Sequence, residues 1–147
     1  MSAIGLQSFC DSIIAKGRLE ENDLRELQRD ILADGITSRN DADALIGLDQ
    51  AVGASAAPGW AECLVASLVE FVVWTSRPTA HVGEEEARWL VASLSLGHGP
   101  TENGLRAAFE IVREAQTVDE ALLAFAMRGP QRRPREFGEP ARPGLAA

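Results

Sequence analysis

Residues 58–74 read PGWAECLVASLVEFVVW, and the fold class turns on whether they make a strand or a helix. Taken alone, LVEFVVW has the β-branched and aromatic content of a buried strand. It is, however, the second half of an apolar segment that begins at Pro58, and that segment is helix-length. Pro58 suits the first turn of a helix, where a missing N–H is no loss. We therefore read 58–75 as one buried helix at the centre of the fold. Between Trp60 and Trp74 there are 15 residues, Glu62 and Glu70 among them, which is too short and too charged to span a bilayer.

Helical spacing extends outward from this segment in both directions. Leu6, Phe9, Cys10 and Ile13 recur at i, i+3, i+4, i+7. Ala87, Leu90, Val91 and Leu94 do the same, as do Leu105, Ala108, Phe109 and Val112. Shorter stripes are Leu24–Leu27–Ile31, Ala42–Leu45–Ile46 and Val118–Leu122–Phe125. Gly17, Gly35, Gly53, Gly97 and Gly129 each follow a stripe, where a helix C-terminus favours glycine. Ser38-x-x-Asp41 and Thr117-x-x-Glu120 resemble capping boxes. The expected helices are 3–16, 21–33, 38–52, 58–75, 84–96, 102–115 and 118–128. The predicted fold class is all-α, a single compact bundle of about seven helices over residues 1–128. Residues 129–147, GPQRRPREFGEPARPGLAA, are too rich in Pro and Arg to bury a core and are expected to form a flexible tail or a partner-binding segment.

Charge narrows the function classes. The chain of 147 residues carries −8 overall, but residues 1–128 hold 20 acidic and 10 basic side chains, a net of −10. A body of that sign repels nucleic acid and anionic lipid and favours a cation or a basic protein surface. The two cysteines, Cys10 and Cys63, show no metal or redox spacing and read as free thiols, which with no visible signal peptide points to the cytoplasm. There is no G-x-S-x-G, H-E-x-x-H or C-x-x-C, and no His–Cys pair with an orienting group, so no enzyme is expected.

Two acidic stretches carry candidate metal ligands. DILADGITSRND (30–41) imitates a twelve-residue calcium loop, with Asp30, Asp34 and Asp41 at ligand positions. Leu32 stands where the third position needs an oxygen, so an Asp-Gly turn followed by a capped helix explains the stretch better. His81 and Glu85, four apart, are a second candidate pair for Ca or Mg, although Glu84–Glu86 also read as a first-turn patch favoured by the helix dipole, with Glu84 paired to Arg88. Glu70, inside the most apolar helix, is either a buried acid or lines a groove or pairs with Arg77 or Arg88. Trp60 and Trp74, fourteen apart, fall on a similar side of one helix and are candidate partner-binding residues together with Arg132 and Arg133 of the tail. TSRNDADAL (37–45) also lies over VGEEEARWL (82–90), with Ser38 on Gly83, Asp41 on Glu86, Ala42 on Ala87 and Leu45 on Leu90.

LADGITSRNDADAL and HVGEEEARWL resemble the small all-helical tellurite-resistance TerB-like proteins, in which a helix ends in Ala-Asp-Gly and an acidic residue opens the next. Ala33, Asp34, Gly35 and Asp41 carry the match, while Thr37 replaces the usual apolar residue. The resemblance implies a helical bundle whose acidic residues Asp30, Asp34 and Asp41 bind a divalent cation, and an association role in stress-response or membrane-proximal complexes. The chain also resembles a bacterial all-helical family of undefined function. The leading expectation is a non-enzymatic acidic adaptor with a protein partner or a second copy of itself. The alternative is a divalent-cation sensor built on 30–41 and 81–86.

Overall fold

The apolar stripes become helices with bounds close to those expected. The computed structural model describes residues 5–97 and 99–127. Helix α1 is Leu6–Lys16, α2 is Glu21–Glu26, α3 is Arg39–Val52 and α4 is Trp60–Val69. They are followed by α5 (Glu84–Leu94), α6 (Glu102–Glu114) and α7 (residues 120–127). The whole Pro/Arg-rich segment 129–147, with Arg132 and Arg133, lies outside the described residues. No helix among the described residues is long and apolar enough to cross a membrane.

Two helices do not end as α-helices. Both α2 and α4 widen into π-helical turns, at Leu27–Ile31 and Glu70–Thr75. The Leu32 N–H reaches the Leu27 carbonyl at 2.7 Å and the Ser76 N–H reaches that of Phe71 at 2.9 Å, each spanning five residues. The strand-like EFVVW thus stays helical but in the wider form, and Phe71, Val72 and Val73 are all buried there.

The caps obey local chemistry. Ser38 Oγ accepts from the Asp41 N–H at 3.1 Å, while the Asp41 carboxylate accepts from the Thr37 N–H and hydroxyl. The box expected at Thr117 does not form. Residues Thr117–Val118 instead make a short parallel pairing, β2, with His81–Val82, β1. The cap of α7 moves to Asp119, whose carboxylate accepts from the Ala121 N–H at 3.0 Å. Gly17 sits at φ 92° as a C-terminal glycine should, but Gly53 is right-handed at φ −63° and has another reason to be glycine, given below.

One hydrophobic cluster runs from Leu6 to Ala126. Helix α1 packs on α3, and α4 lies along α6. Helix α3 also touches α4, α5 and α6, so it shares the middle of the fold with α4. The sequence alignment of 37–45 on 82–90 is reproduced in space: Ser38 and Gly83 are the two N-caps, and Ala42, Ala87, Leu45 and Leu90 are all fully buried.

Candidate functional site

Three tryptophans with three different surroundings locate the site. Trp60 is buried, 1% exposed, and its indole Nε1–H donates to Asp49 Oδ1 at 2.8 Å. Asp49, itself 3% exposed, also accepts from Asn103 Nδ2 at 2.9 Å and from the Thr101 hydroxyl at 2.5 Å. One carboxylate on α3 therefore ties α4 to the start of α6. A Cβ on Gly53 would fall 2.1 Å from Asp49 Oδ1, so this glycine is required by the carboxylate's position and not by a turn. Trp89 is held in a similar way from the other end of α3. Its indole donates to Asp43 at 3.0 Å, the Arg39 guanidinium lies 5.2 Å from its ring centre, and Phe71 meets it edge-on at 6.2 Å.

Trp74 differs from both. It is 50% exposed and has no hydrogen-bond partner for its indole among the described residues. It stands at one end of a groove of about 560 Å³ between α4, with its π-helical continuation, and α6. Along α4 the groove is lined by Glu62, Val65, Ala66, Val69 and Glu70, at the i, i+3, i+4, i+7, i+8 spacing of one helix face. Along α6 it is lined by Arg106, Glu110 and Glu114, each four residues from the next. The floor is apolar and the rim is acidic, with four glutamates against one arginine. Arg106 approaches Glu62 at 3.7 Å and Arg113 pairs with Glu110 at 3.0 Å. Glu70 and Glu114 have no ion pair among the described residues. The groove offers an apolar surface, an open indole face and carboxylates that attract ammonium or guanidinium groups.

The other candidate residues of the sequence are arranged as follows. Trp60 does not join Trp74 at a partner surface, since it is enclosed in the core. Fourteen residues are close to four turns of an α-helix, but the π turn from Glu70 takes more residues per turn and rotates Trp74 away from the side that Trp60 occupies. The carboxylates of 30–41 do not converge. Asp34 is exposed, Asp30 is paired with Arg29 at 3.3 Å, and Asp41 is occupied by Thr37. His81 Nδ1 is 2.7 Å from the Thr117 hydroxyl, Glu85 is exposed, and Glu84 pairs with Arg88. Among the described residues no group of three or more His, Cys, Asp or Glu side chains is placed to hold a metal ion. Asp30 and Asp41 are thus engaged by neighbours in the chain, while Asp34 and Glu85 face solvent. Glu70 is exposed on the groove rim, one of the three places the sequence allowed it.

Sequence reading missed Asp43, Asp49, Arg106, Glu110 and Glu114. For the last three a signal existed, because charges repeating every fourth residue beside an apolar stripe mark one helix face. For Asp49 there was none, since Trp60, Thr101 and Asn103 lie 11, 52 and 54 residues away. No protein-family model, curated protein or solved structure matches this chain.

Proposed function

We propose that this protein is a non-enzymatic interaction module that holds a basic, partly apolar segment of a protein partner in the α4–α6 groove. The observation that carries this reading is Trp74. It is the tryptophan left half exposed, with no hydrogen-bond partner among the described residues, while α3 aspartates pin the other two, and it opens onto a groove with an apolar floor and four glutamates. Large exposed aromatics beside an apolar depression are the usual anchors of protein interfaces. The acidic rim selects a basic partner and accelerates its arrival. The net charge of −10 over residues 1–128 acts in the same direction and disfavours nucleic acid. On the TerB-like resemblance, the role assigned to this groove is association within a stress-response complex.

Calorimetric titration tests the proposal. An amphipathic Lys/Leu peptide should bind the full chain with micromolar affinity at low salt, and its Glu/Leu counterpart should not. Reversing Glu110 and Glu114 to Arg should abolish the heat. Equal heats for both peptides, or binding unaffected by the reversal, would remove the groove from the account.

A further inference from the structure

The chain itself contains a segment with the chemistry the groove selects. Residues 131–137 read QRRPREF, placing Arg132, Arg133 and Arg135 within five residues of Phe137, with Glu136 the one acidic residue among them. The groove offers the complement: Glu62, Glu70, Glu110 and Glu114 around Val69 and Trp74. We propose that the arginine-rich C-terminal segment, residues 129–147, docks in this groove in cis and competes there with the outside partner. The inference rests on reading the groove as a docking site and adds its resident occupant.

Reach and charge support this occupant. Glu114 lines the groove, and the chain passes from it through β2 directly into α7. Residues 120–127 of α7 span roughly 12 Å and five residues separate them from Glu114, so Met127 lies no more than roughly 35 Å from that end of the groove. Twenty residues follow Met127, and extended chain covers up to roughly 3.5 Å per residue, so every part of the groove is within reach. A tethered segment also meets its site at an effective concentration of about millimolar, so a weak contact suffices for occupancy. Residues 129–147 carry +2 against −10 for the rest, so the attraction is general as well as local and is weakened by salt.

The test compares amide and indole NMR spectra of the full chain with those of the full-length triple variant R132E/R133E/R135E at low salt. Docking predicts shifts concentrated at the groove residues of α4 and α6 and at the Trp74 indole, and the same peaks should move when salt is added to the unaltered chain. They should not change on tenfold dilution. If the docked form occupies nine-tenths of molecules, the triple variant should bind the Lys/Leu peptide about tenfold more tightly. Unchanged groove peaks would overturn the proposal, and so would shifts on another face or shifts that vanish on dilution, which would assign the contact to a second copy. Peptide binding in the groove without any effect of the triple substitution would overturn tail docking alone, whereas absence of both would remove the groove reading too.

Discussion

Replacing Asp49 should destabilise the fold in a way that only its hydrogen-bond geometry explains. In Asp49→Ala, the Trp60 indole, the Asn103 amide and the Thr101 hydroxyl lose their shared acceptor inside the protein. A buried donor left unsatisfied costs about 1–3 kcal/mol. Of the three only the Trp60 indole is fully buried, while Thr101 and Asn103 are half-buried and border a cavity of about 340 Å³ that admits water, so the loss is about 2–4 kcal/mol and the fall in Tm about 5–15 °C. Asp49→Asn should cost less than about 1.5 kcal/mol. Its carbonyl oxygen keeps Trp60 and Asn103, and its amide donates to the Thr101 oxygen, which has a lone pair beyond the one used by Gly104. Gly53 provides the internal control. At φ −63° alanine is favoured by up to about 1 kcal/mol, yet its Cβ would collide with the Asp49 carboxylate. Gly53→Ala should therefore destabilise the unaltered chain by about 1–3 kcal/mol and be close to neutral beside Asp49→Ala, where a 3.2 Å approach to Trp60 Nε1 remains, a coupling of about 1–3 kcal/mol. Urea unfolding followed by tryptophan emission measures the four variants against the unaltered chain. Additive losses, or an alanine variant of Asp49 within 1 kcal/mol of the original, would refute the reasoning.

Other consequences are equally open to measurement. Leu68, fully buried on α4, should cost about 2–5 kcal/mol when cut to Ala, read by the same urea transition. Trp74→Ala should change stability by less than about 1 kcal/mol, because half of the side chain is already in water, but should weaken binding of the Lys/Leu peptide at least tenfold by calorimetry. Burial first, and the Asp11 carboxylate second, push the Cys10 thiol from 9.0 up to about 12, and burial also raises Cys63. A thiol with a folded pKa above its unfolded one keeps its proton longer in the native state, so its stabilisation is complete below about pH 9 and declines as the pH rises toward 12. Urea midpoints should accordingly fall between pH 8 and pH 10.5, and the slope should flatten in Cys10→Ala. Thr101→Ala, which removes both the cap on Gly104 and a bond to Asp49, should cost about 1–3 kcal/mol in the urea assay.

The helices were legible because each is an apolar stripe, most of them followed by a glycine, and such stripes are local. The start of α3 at Ser38 is the clearest instance, as its cap and first turn are contained in four consecutive residues. What escaped the sequence depends on distant partners or on a departure from α geometry. The pairing of His81–Val82 with Thr117–Val118 joins segments 36 residues apart, and it displaced the α7 cap from Thr117 to Asp119. The π turn at Glu70–Thr75 invalidated a periodicity argument that assumed 3.6 residues per turn, and so Trp60 and Trp74 were placed together when one is core and the other groove. Acidic residues near a turn suggested a metal loop, yet their count says nothing of where the oxygens point, and here Asp41 is consumed by its own cap. Half of the groove was visible as Glu70 and Trp74, while its α6 wall was overlooked as an ordinary solvated face.

The central claim is that the α4–α6 groove is where a basic partner segment sits. Mapping the Lys/Leu peptide on the isotope-labelled full chain by amide and indole shifts tests it most directly. The account predicts a footprint on Glu62, Val69, Glu70, Glu110 and Glu114 with the largest movement at the Trp74 indole, fading as salt is raised. A footprint centred on Trp89 and Arg39, or none at millimolar peptide, would contradict it.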